Sequence, residues 1–291
     1  MTSLPLLVDA LTAVSRSDLP AAREAATAAA DADPDSLLAP VLARFLAAAG
    51  AGGVYDEPSA FEEFIDGGGN PHLYERTIGA LTALHRAAAP ARVLDIGCGD
   101  GRVTAAVVGP ATGQVTLVEP SAELLSTARE RLDRPGLAVA AVGTGIEEAL
   151  DRLPIDEHWD VAQSTFALHT LPPERRAVVL RALTGRVGRI ALVEFDVPRF
   201  EDRSVDHLTY LAERNELGVR EYRDQPAVAH GFLMPVLVGQ LDPTRHRYTF
   251  EQPATAWADE LTTAGFTDTS ITPVADYWWA PATLIQATGT P

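Results

Sequence analysis

The chain has 291 residues, 46% of them apolar, enough for a sizeable core in one large domain or one domain with an appendage. Its formal charge is −17 with no basic cluster, which argues against a nucleic-acid partner, since phosphate neutralisation needs Lys and Arg in quantity. All 23 basic side chains are Arg, which excludes Schiff-base chemistry, lysine-anchored pyridoxal phosphate and a Walker P-loop.

The opening MTSLPLLVDALTAVSRSD has no basic residue before its apolar part and no small-residue cleavage site, so it reads as a poor secretory signal. No apolar run approaches the ~20 residues of a membrane span, and no membrane partner is expected. Residues 5–49 predict two or three short helices, LLVDALTAV, LPAAREAATAAADAD and DSLLAPVLARFLAAAG, with Pro20 and Pro34 at first-turn or boundary positions. Alanine-rich amphipathic helices of this kind suit a packing cap or a homodimer surface without chemistry. The spacing next predicts a helix over 58–66, a break at Gly67-Gly68-Gly69-Asn70, and a helix from Pro71 to about Ala87. From Arg92, strands and helices alternate: ARVLDIG, GRVTAAVV, QVTLVEP, AELLSTARERL, LAVAAVG, IEEALDRL, WDVAQSTF, PERRAVVLRAL and RIALVEFDV. This rhythm predicts βαβ units around a parallel sheet with buried strands. Residues 198–250 interrupt it with HLTYLAERNELGVREYRD and GFLMPVLVGQ, an insertion too long and too patterned for a loop and a candidate lid. ATAWADELTTAGF then predicts a helix, and TDTSITPVA and ATLIQATG predict strands.

The first strand runs into VLDIGCGDGR, with Gly97, Gly99 and Gly101 alternating. In a parallel sheet, ligands bind beyond the carboxyl ends of the strands, where this turn lies. A dinucleotide fingerprint would need G-x-G-x-x-G, and here the third glycine comes one position early. Asp95 and Asp100 flank the turn. Two carboxylates would repel a pyrophosphate and attract a cationic amino-acid group. Eighteen residues after Gly101, the second strand ends in Glu119, where an acid accepts hydrogen bonds from ribose hydroxyls. A cationic amino-acid end joined to an adenosine describes S-adenosylmethionine.

D-x-G-x-G-x-G followed by a second-strand acid resembles the class I S-adenosylmethionine-dependent methyltransferases, over roughly residues 85–197 and the C-terminal helix and strand pair. The resemblance implies a doubly wound, mostly parallel seven-stranded α/β sheet with a C-terminal antiparallel strand. It implies an N-terminal helical extension over 1–56 and a methyltransferase domain over 57–291 that carries the lid insertion at 198–250. It also implies S-adenosylmethionine as cofactor, with no metal. By the same resemblance, Gly97, Cys98 and Gly99 approach the methionyl part, with Asp95 on its amino group and Asp100 beside it. Glu119 holds the ribose, and Pro120 and Ser121 lie beside the adenine. Gly145 stands where the family places an acid facing the adenine amine, so Ile146 is left to cover the ring. Ser164, Thr165 and Phe166 line the methionyl side after the fourth strand, and Tyr74 resembles an aromatic hydroxyl that closes over the cofactor carboxylate.

Leu171-Pro172-Pro173 lacks the acid or amide and the tyrosine of the N/D-P-P-Y sequence of nucleobase-amine methylating enzymes. Glu194 and Asp196 alone do not make the clustered ligand set of a metal-assisted site. A small organic acceptor is left. Its pocket is expected from Tyr55, Phe61, Phe64, Asn70 and His72 on the first segments, and from Tyr210, Tyr222, Phe232 and Trp278 farther on. Flat aromatic walls around a few polar groups suit an aromatic or heteroaromatic acceptor. FEEFIDGGGN and GFLMPVLVGQ are similar to bacterial natural-product methyltransferases, including some that methylate indole-type rings. For a general base, His169 ranks first, because it follows the fourth strand and its ordinary pKa of about 6.5 leaves it mostly neutral. Glu194 and His230 follow. A non-methylating protein of the same fold, such as a cyclase or a regulator, and a nicotinamide oxidoreductase stay open as alternatives. The single cysteine, Cys98, precludes an internal disulfide and suits a cytoplasmic location.

Overall fold

The computed structural model describes residues 3–48 and 58–290, with the side chains at 58, 59, 61 and 62 left outside that description. In chain order, α1 (Leu4–Ser15), α2 (Leu19–Ala32), α3 (Leu38–Ala47) and α4 (Pro58–Asp66) are followed by α5 (Asn70–Ala88). Then come β1 (Arg92–Ile96), α6 (Arg102–Val107), β2 (Gln114–Val118), α7 (Ala122–Arg131), β3 (Ala138–Val142) and α8 (Ile146–Arg152). β4 (Trp159–Thr165), α9 (Pro173–Thr184) and β5 (Val187–Phe195) complete the alternating part. The insertion holds α10 (Val205–Glu221), α11 (Pro226–Val228), a π-helical stretch (Ala229–Leu233) and α12 (Met234–Leu241). α13 (Ala254–Ala264), β6 (Thr267–Ala275) and β7 (Ala282–Thr288) close the chain. Asn70, expected in the break, is the first residue of α5. Among the described residues, no helix is long and apolar enough to cross a membrane.

The chain divides into two compact units. The α/β unit comprises Leu73–Pro198, Phe250–Asp276 and Ala280–Pro291. The sheet is mostly parallel with seven strands and a C-terminal antiparallel one, as the resemblance implied; its order is β3-β2-β1-β4-β5-β7-β6, and only β7 runs against the other strands. Alternate residues of the strands face opposite sides, as the pleat requires. Leu94, Ile96, Leu192 and Ile285 join Trp159, Leu180 and Trp257 in one core, while Val93, Val115 and Leu117 join Leu125, Ala128 and Leu132 in another. The first core contains a fully buried cation. The Arg176 guanidinium of α9 makes a two-pronged bond to Glu260 of α13 at 2.7 and 2.8 Å and lies 4.1 Å over the Trp257 ring. It also donates to the carbonyls of Leu171 and Phe250 at 3.1 and 3.3 Å.

The helical unit comprises Met1–His72, Arg199–Thr249 and Tyr277–Trp279. This grouping differs from the expected boundary at 56/57, because the insertion packs on the N-terminal helices. The Glu216 carboxylate of α10 accepts from the Leu37 and Leu38 N–H groups, both at 2.9 Å, and from Ser36 Oγ at 3.0 Å. An anion at the start of α3 satisfies donors that a helix N-terminus leaves unpaired. Asp242, after α12, likewise accepts from Ser17 Oγ at 2.9 Å.

Removing one member of a buried ion pair strands the other. Arg176→Ala should lower stability by about 2–4 kcal/mol in chemical denaturation, with Arg176→Met closer to wild type. Unchanged stability of the alanine variant would remove this anchor from the account of the core.

Candidate active site

The strand order reverses between β1 and β4: after β1 the chain turns outward to β2, and after β4 the other way to β5. The crevice at such a reversal opens at the carboxyl ends of the strands. The turn after β1 occupies it with left-handed glycines, φ 68° at Gly97 and 53° at Gly99. A Cβ on Gly97 would stand 2.4 Å from Cβ of Ala167, which follows β4, so the bare residue lets the two loops touch. A Cβ on Gly99 would meet nothing within 4 Å. The space beside that glycine is open. Gly97 and Cys98 both donate their N–H to the Val118 carbonyl, at 2.8 and 3.1 Å, which ties the turn to β2. Burial pushes the Cys98 thiol up, so it stays protonated.

Glu119 ends β2 and is 8% exposed. Its Oε2 accepts from the Gly99 N–H at 3.1 Å and its Oε1 from the Ser121 N–H at 2.9 Å. Burial raises its pKa against those two bonds. Asp95 is buried on β1, with its carboxyl bonded by the Thr104 hydroxyl of α6. Burial pushes its pKa up to about 6. Asp100, expected to face a cationic ligand, is paired with Arg102 at 2.9 Å and Arg131 at 3.1 Å. The first arginine is two residues on, and the second ends α7, so the acid is neutralised from both sides.

The other expected cofactor residues separate into ligand-accessible and structural positions. Pro120 is exposed, and Ser121 caps α7 by accepting from the Leu124 N–H at 3.4 Å. Ile146 is buried among the core residues that include Ile96 and Val118, behind Gly145. Ser164 is fully buried and donates to the Ile96 carbonyl at 3.0 Å, which joins β4 to β1. Thr165 Oγ1 is buried and has no hydrogen-bond partner among the described residues. Phe166 takes φ 49°, a conformation uncommon for a side chain of its size, and stacks on Phe195 with centroids 4.6 Å apart. Tyr74 meets Phe166 edge-on at 6.2 Å, and the Arg102 guanidinium lies 5.6 Å from the Tyr74 ring centre.

His169 and Glu194 come together. His169 Nδ1 lies 2.8 Å from Glu194 Oε2, and its backbone N–H reaches Oε1 at 3.3 Å. The His169 carbonyl accepts from the Phe250 N–H at 2.7 Å, and Arg176 holds the Phe250 carbonyl. Burial disfavours charge on this imidazole, but the charge and hydrogen bond of Glu194 outweigh it, and the His169 pKa lies above the ordinary 6.5. This corrects the expectation of an unperturbed value. The carboxylate only accepts, so Nδ1 carries the proton and Nε2 of the neutral ring is left as a base.

The expected acceptor residues lie in the helical unit. The Phe64 ring sits 5.3 Å from Tyr222 and 4.1 Å from Phe232. Asn70 is buried, donates to Tyr222 Oη at 2.8 Å and accepts from Tyr277 Oη at 3.1 Å. Burial pushes the Tyr222 hydroxyl up to about 12. Tyr210 belongs to a second group, bonded to the Trp279 carbonyl at 2.9 Å, and Trp278 lies 5.9 Å from Trp279. His72 is exposed, and His230 is half-buried on the π-helical stretch. Tyr55 and the Phe61 side chain lie outside the described residues. Among the described residues, no group of three or more His, Cys, Asp and Glu is arranged to hold a metal. The sequence reading passed over Gln163, Thr104 and His85, buried polar groups around Asp95. The available signal was an amide inside the otherwise apolar strand WDVAQSTF.

Residues 93–187 match a family model described as a methyltransferase domain. No curated protein matches the chain. Magnesium protoporphyrin IX methyltransferase (ChlM) from Synechocystis PCC 6803, solved with SAH bound, aligns with a TM-score of 0.50 at 15% identity, over 75% of this chain and 83% of that one. N-methyltransferase NodS from Bradyrhizobium japonicum WM9 aligns at 0.49 and 13% identity, over 77% and 99%. A 1,6-didemethyltoxoflavin-N1-methyltransferase from Burkholderia thailandensis, with 1,6-didemethyltoxoflavin and S-adenosylhomocysteine bound, aligns at 0.47 and 19%, over 74% and 78%. At such identity the likeness speaks for the fold alone, and only the first alignment is close enough to carry it. The match makes residues 93–187 a methyltransferase domain, whose glycine turn lies at the point where the strand order of the sheet reverses.

Proposed function

We propose that the chain methylates a small organic acceptor through a ring N–H or hydroxyl that must lose a proton, and that the acceptor is aromatic or heteroaromatic. The paired His169 and Glu194 are the observation that carries this reading. A donor-locked imidazole with a bare Nε2 is useful for taking a proton and needless for an acceptor that has none to lose. The net charge of −17 supports a small molecule over a nucleic acid. The similarity of FEEFIDGGGN and GFLMPVLVGQ to methyltransferases of indole-type natural products supports a flat ring. The reading includes a cytoplasmic location, supported by the single cysteine.

The residues fit the cofactor. The open space at Gly99 admits a ligand against bare backbone, and Glu119 presents a carboxylate at the adjacent strand end. In this reading Glu119 holds the ribose, Asp95 faces the amino group, and Gly97, Gly99 and Thr165 line the methionyl part. Ser164 ties β4 to β1 through the Ile96 carbonyl, and Asp100 is paired with Arg102 and Arg131 beside the crevice. Bound S-adenosylmethionine supplies an electrophilic methyl group and leaves as S-adenosylhomocysteine. His169 Nε2 accepts the proton from the acceptor heteroatom, and Glu194 orients the ring and stabilises the imidazolium that forms.

The experiment that tests the function is incubation with labelled S-adenosylmethionine and a panel of ring N–H, phenolic and tertiary-amine acceptors. Labelled protic products with release of S-adenosylhomocysteine are expected, and turnover confined to aprotic acceptors would refute the proposal. Release of no S-adenosylhomocysteine with any acceptor would favour a non-methylating role. Glu119→Ala should weaken S-adenosylhomocysteine binding by about 1–3 kcal/mol in calorimetry, and unchanged affinity in a folded variant would cancel the ribose assignment. His169→Ala should slow single turnover by roughly 10²-fold or more with little change in cofactor affinity. In wild type the rate should rise with pH as His169 loses its proton, with an inflection above 6.5 because Glu194 favours the charged ring. Glu194→Gln should move that inflection downward; an unmoved profile would show that the pair does not set it.

A further inference from the structure

We propose that Thr104, Gln163 and His85 are positioning residues for the cationic amino-acid end of the cofactor and act through Asp95. The proposal rests on the reading that Asp95 faces that end. β1 and β4 are parallel neighbours, and their register sets Asp95 beside Gln163 on one face of the sheet. On that face three side chains form a buried chain of hydrogen bonds. His85 Nε2 of α5 lies 2.9 Å from Gln163 Oε1, and Gln163 Nε2 donates to Thr104 Oγ1 at 3.3 Å. The Thr104 hydroxyl donates to Asp95 Oδ2. Gln163 and Thr104 are fully buried, and His85 and Asp95 are 4% and 3% exposed.

The direction of this chain follows from its last member. A carboxylate can only accept, so the Thr104 proton must point at Asp95, and its oxygen must then accept from the Gln163 amide nitrogen. The amide oxygen is thereby turned to His85, whose Nε2 must carry the ring proton. The opposite orientation of Gln163 would draw the Thr104 proton to the amide oxygen and leave Asp95 without its donor. Among the described residues His85 Nδ1 has no hydrogen-bond partner, so no second bond competes for the ring proton on Nε2, and burial lowers the pKa of this histidine and favours the neutral ring. Every donor therefore runs toward the acid two residues before Gly97. Buried donors polarise one another along such a chain, and here they fix the rotation of the carboxyl and support its charge. An apolar set could fill the same volume without the cost of desolvating polar groups. The outlet of the network at the glycine turn is what gives it a use.

Calorimetry with two ligands separates positioning from folding. S-adenosylhomocysteine carries the amino-acid end; 5′-methylthioadenosine has the adenosine and the sulfur without it. Thr104→Val keeps the shape and removes the hydroxyl. It should weaken S-adenosylhomocysteine about tenfold, in line with an unmade bond to a charged group, and leave 5′-methylthioadenosine within about twofold. Gln163→Met should act in the same direction, and Thr104→Ser should restore wild-type discrimination. Asp95→Asn serves as the control for the underlying reading. If it lowers S-adenosylhomocysteine affinity selectively while Thr104→Val and Gln163→Met do not, the positioning role is overturned and the Asp95 assignment stands. If Asp95→Asn leaves the discrimination unchanged, the Asp95 assignment falls and the proposal with it. Equal weakening of both ligands in Thr104→Val would mean a structural role alone and would also overturn the proposal.

Discussion

The site depends on the absence of one side chain. Ala167 Cβ lies where a Cβ on Gly97 would have to stand, at 2.4 Å, a separation that real atoms do not tolerate. Glycine there lets the loop after β4 settle against the turn after β1. That contact closes the floor of the crevice at the point where the strand order reverses. Phe166, in its strained left-handed conformation, leads into Ala167, and the chain passes from there into the short helical turn that carries His169. A methyl group at Gly97 would move the two loops apart and carry His169 away from the turn.

The site is also an arrangement of acids held in different electrical states. Asp100 is neutralised by two guanidinium groups, Glu119 accepts two backbone N–H bonds, Asp95 is held by a hydroxyl, and Glu194 by an imidazole. Burial raises the pKa of Asp95 and Glu119, so the charged form of each gains from anything nearby that favours it. A ligand with a cationic end would supply that favour in the proposed reading, and nearby opposite charge is the ordinary way to recover ionisation in a buried carboxyl. Asp100 lies outside this logic because its arginines already satisfy it.

Behind the site, Arg176 links packing to chemistry. Its guanidinium joins α9 to α13 through Glu260 and Trp257, and it holds the carbonyl of Phe250, whose N–H holds His169. The imidazole is thus fixed on one side by Glu194 and on the other by a chain that ends in the core. Rigid support of this kind is what a proton acceptor needs to stay in line with its donor.

By itself the sequence determined the order of strands and helices, the glycine turn and the acid at Glu119. Each is a local signal: apolar periodicity, backbone that must be bare, and an acid placed by counting along a single βαβ unit. The same local logic gave no sign of the partner of Asp100, because Arg131 reaches it from thirty-one residues away in the sequence. It gave no sign that the Ser164 hydroxyl bonds the carbonyl of Ile96 on the neighbouring strand. It named His169 and Glu194 separately as bases, whereas their meeting required β4 and β5 to lie side by side. Only the tertiary structure decided which polar groups satisfy one another, and that the insertion helices pack with the N-terminal ones. The physical reason is that a strand's alternation shows which residues turn inward, but hydrogen-bond partners and pKa values depend on neighbours that only strand register and helix packing bring within reach.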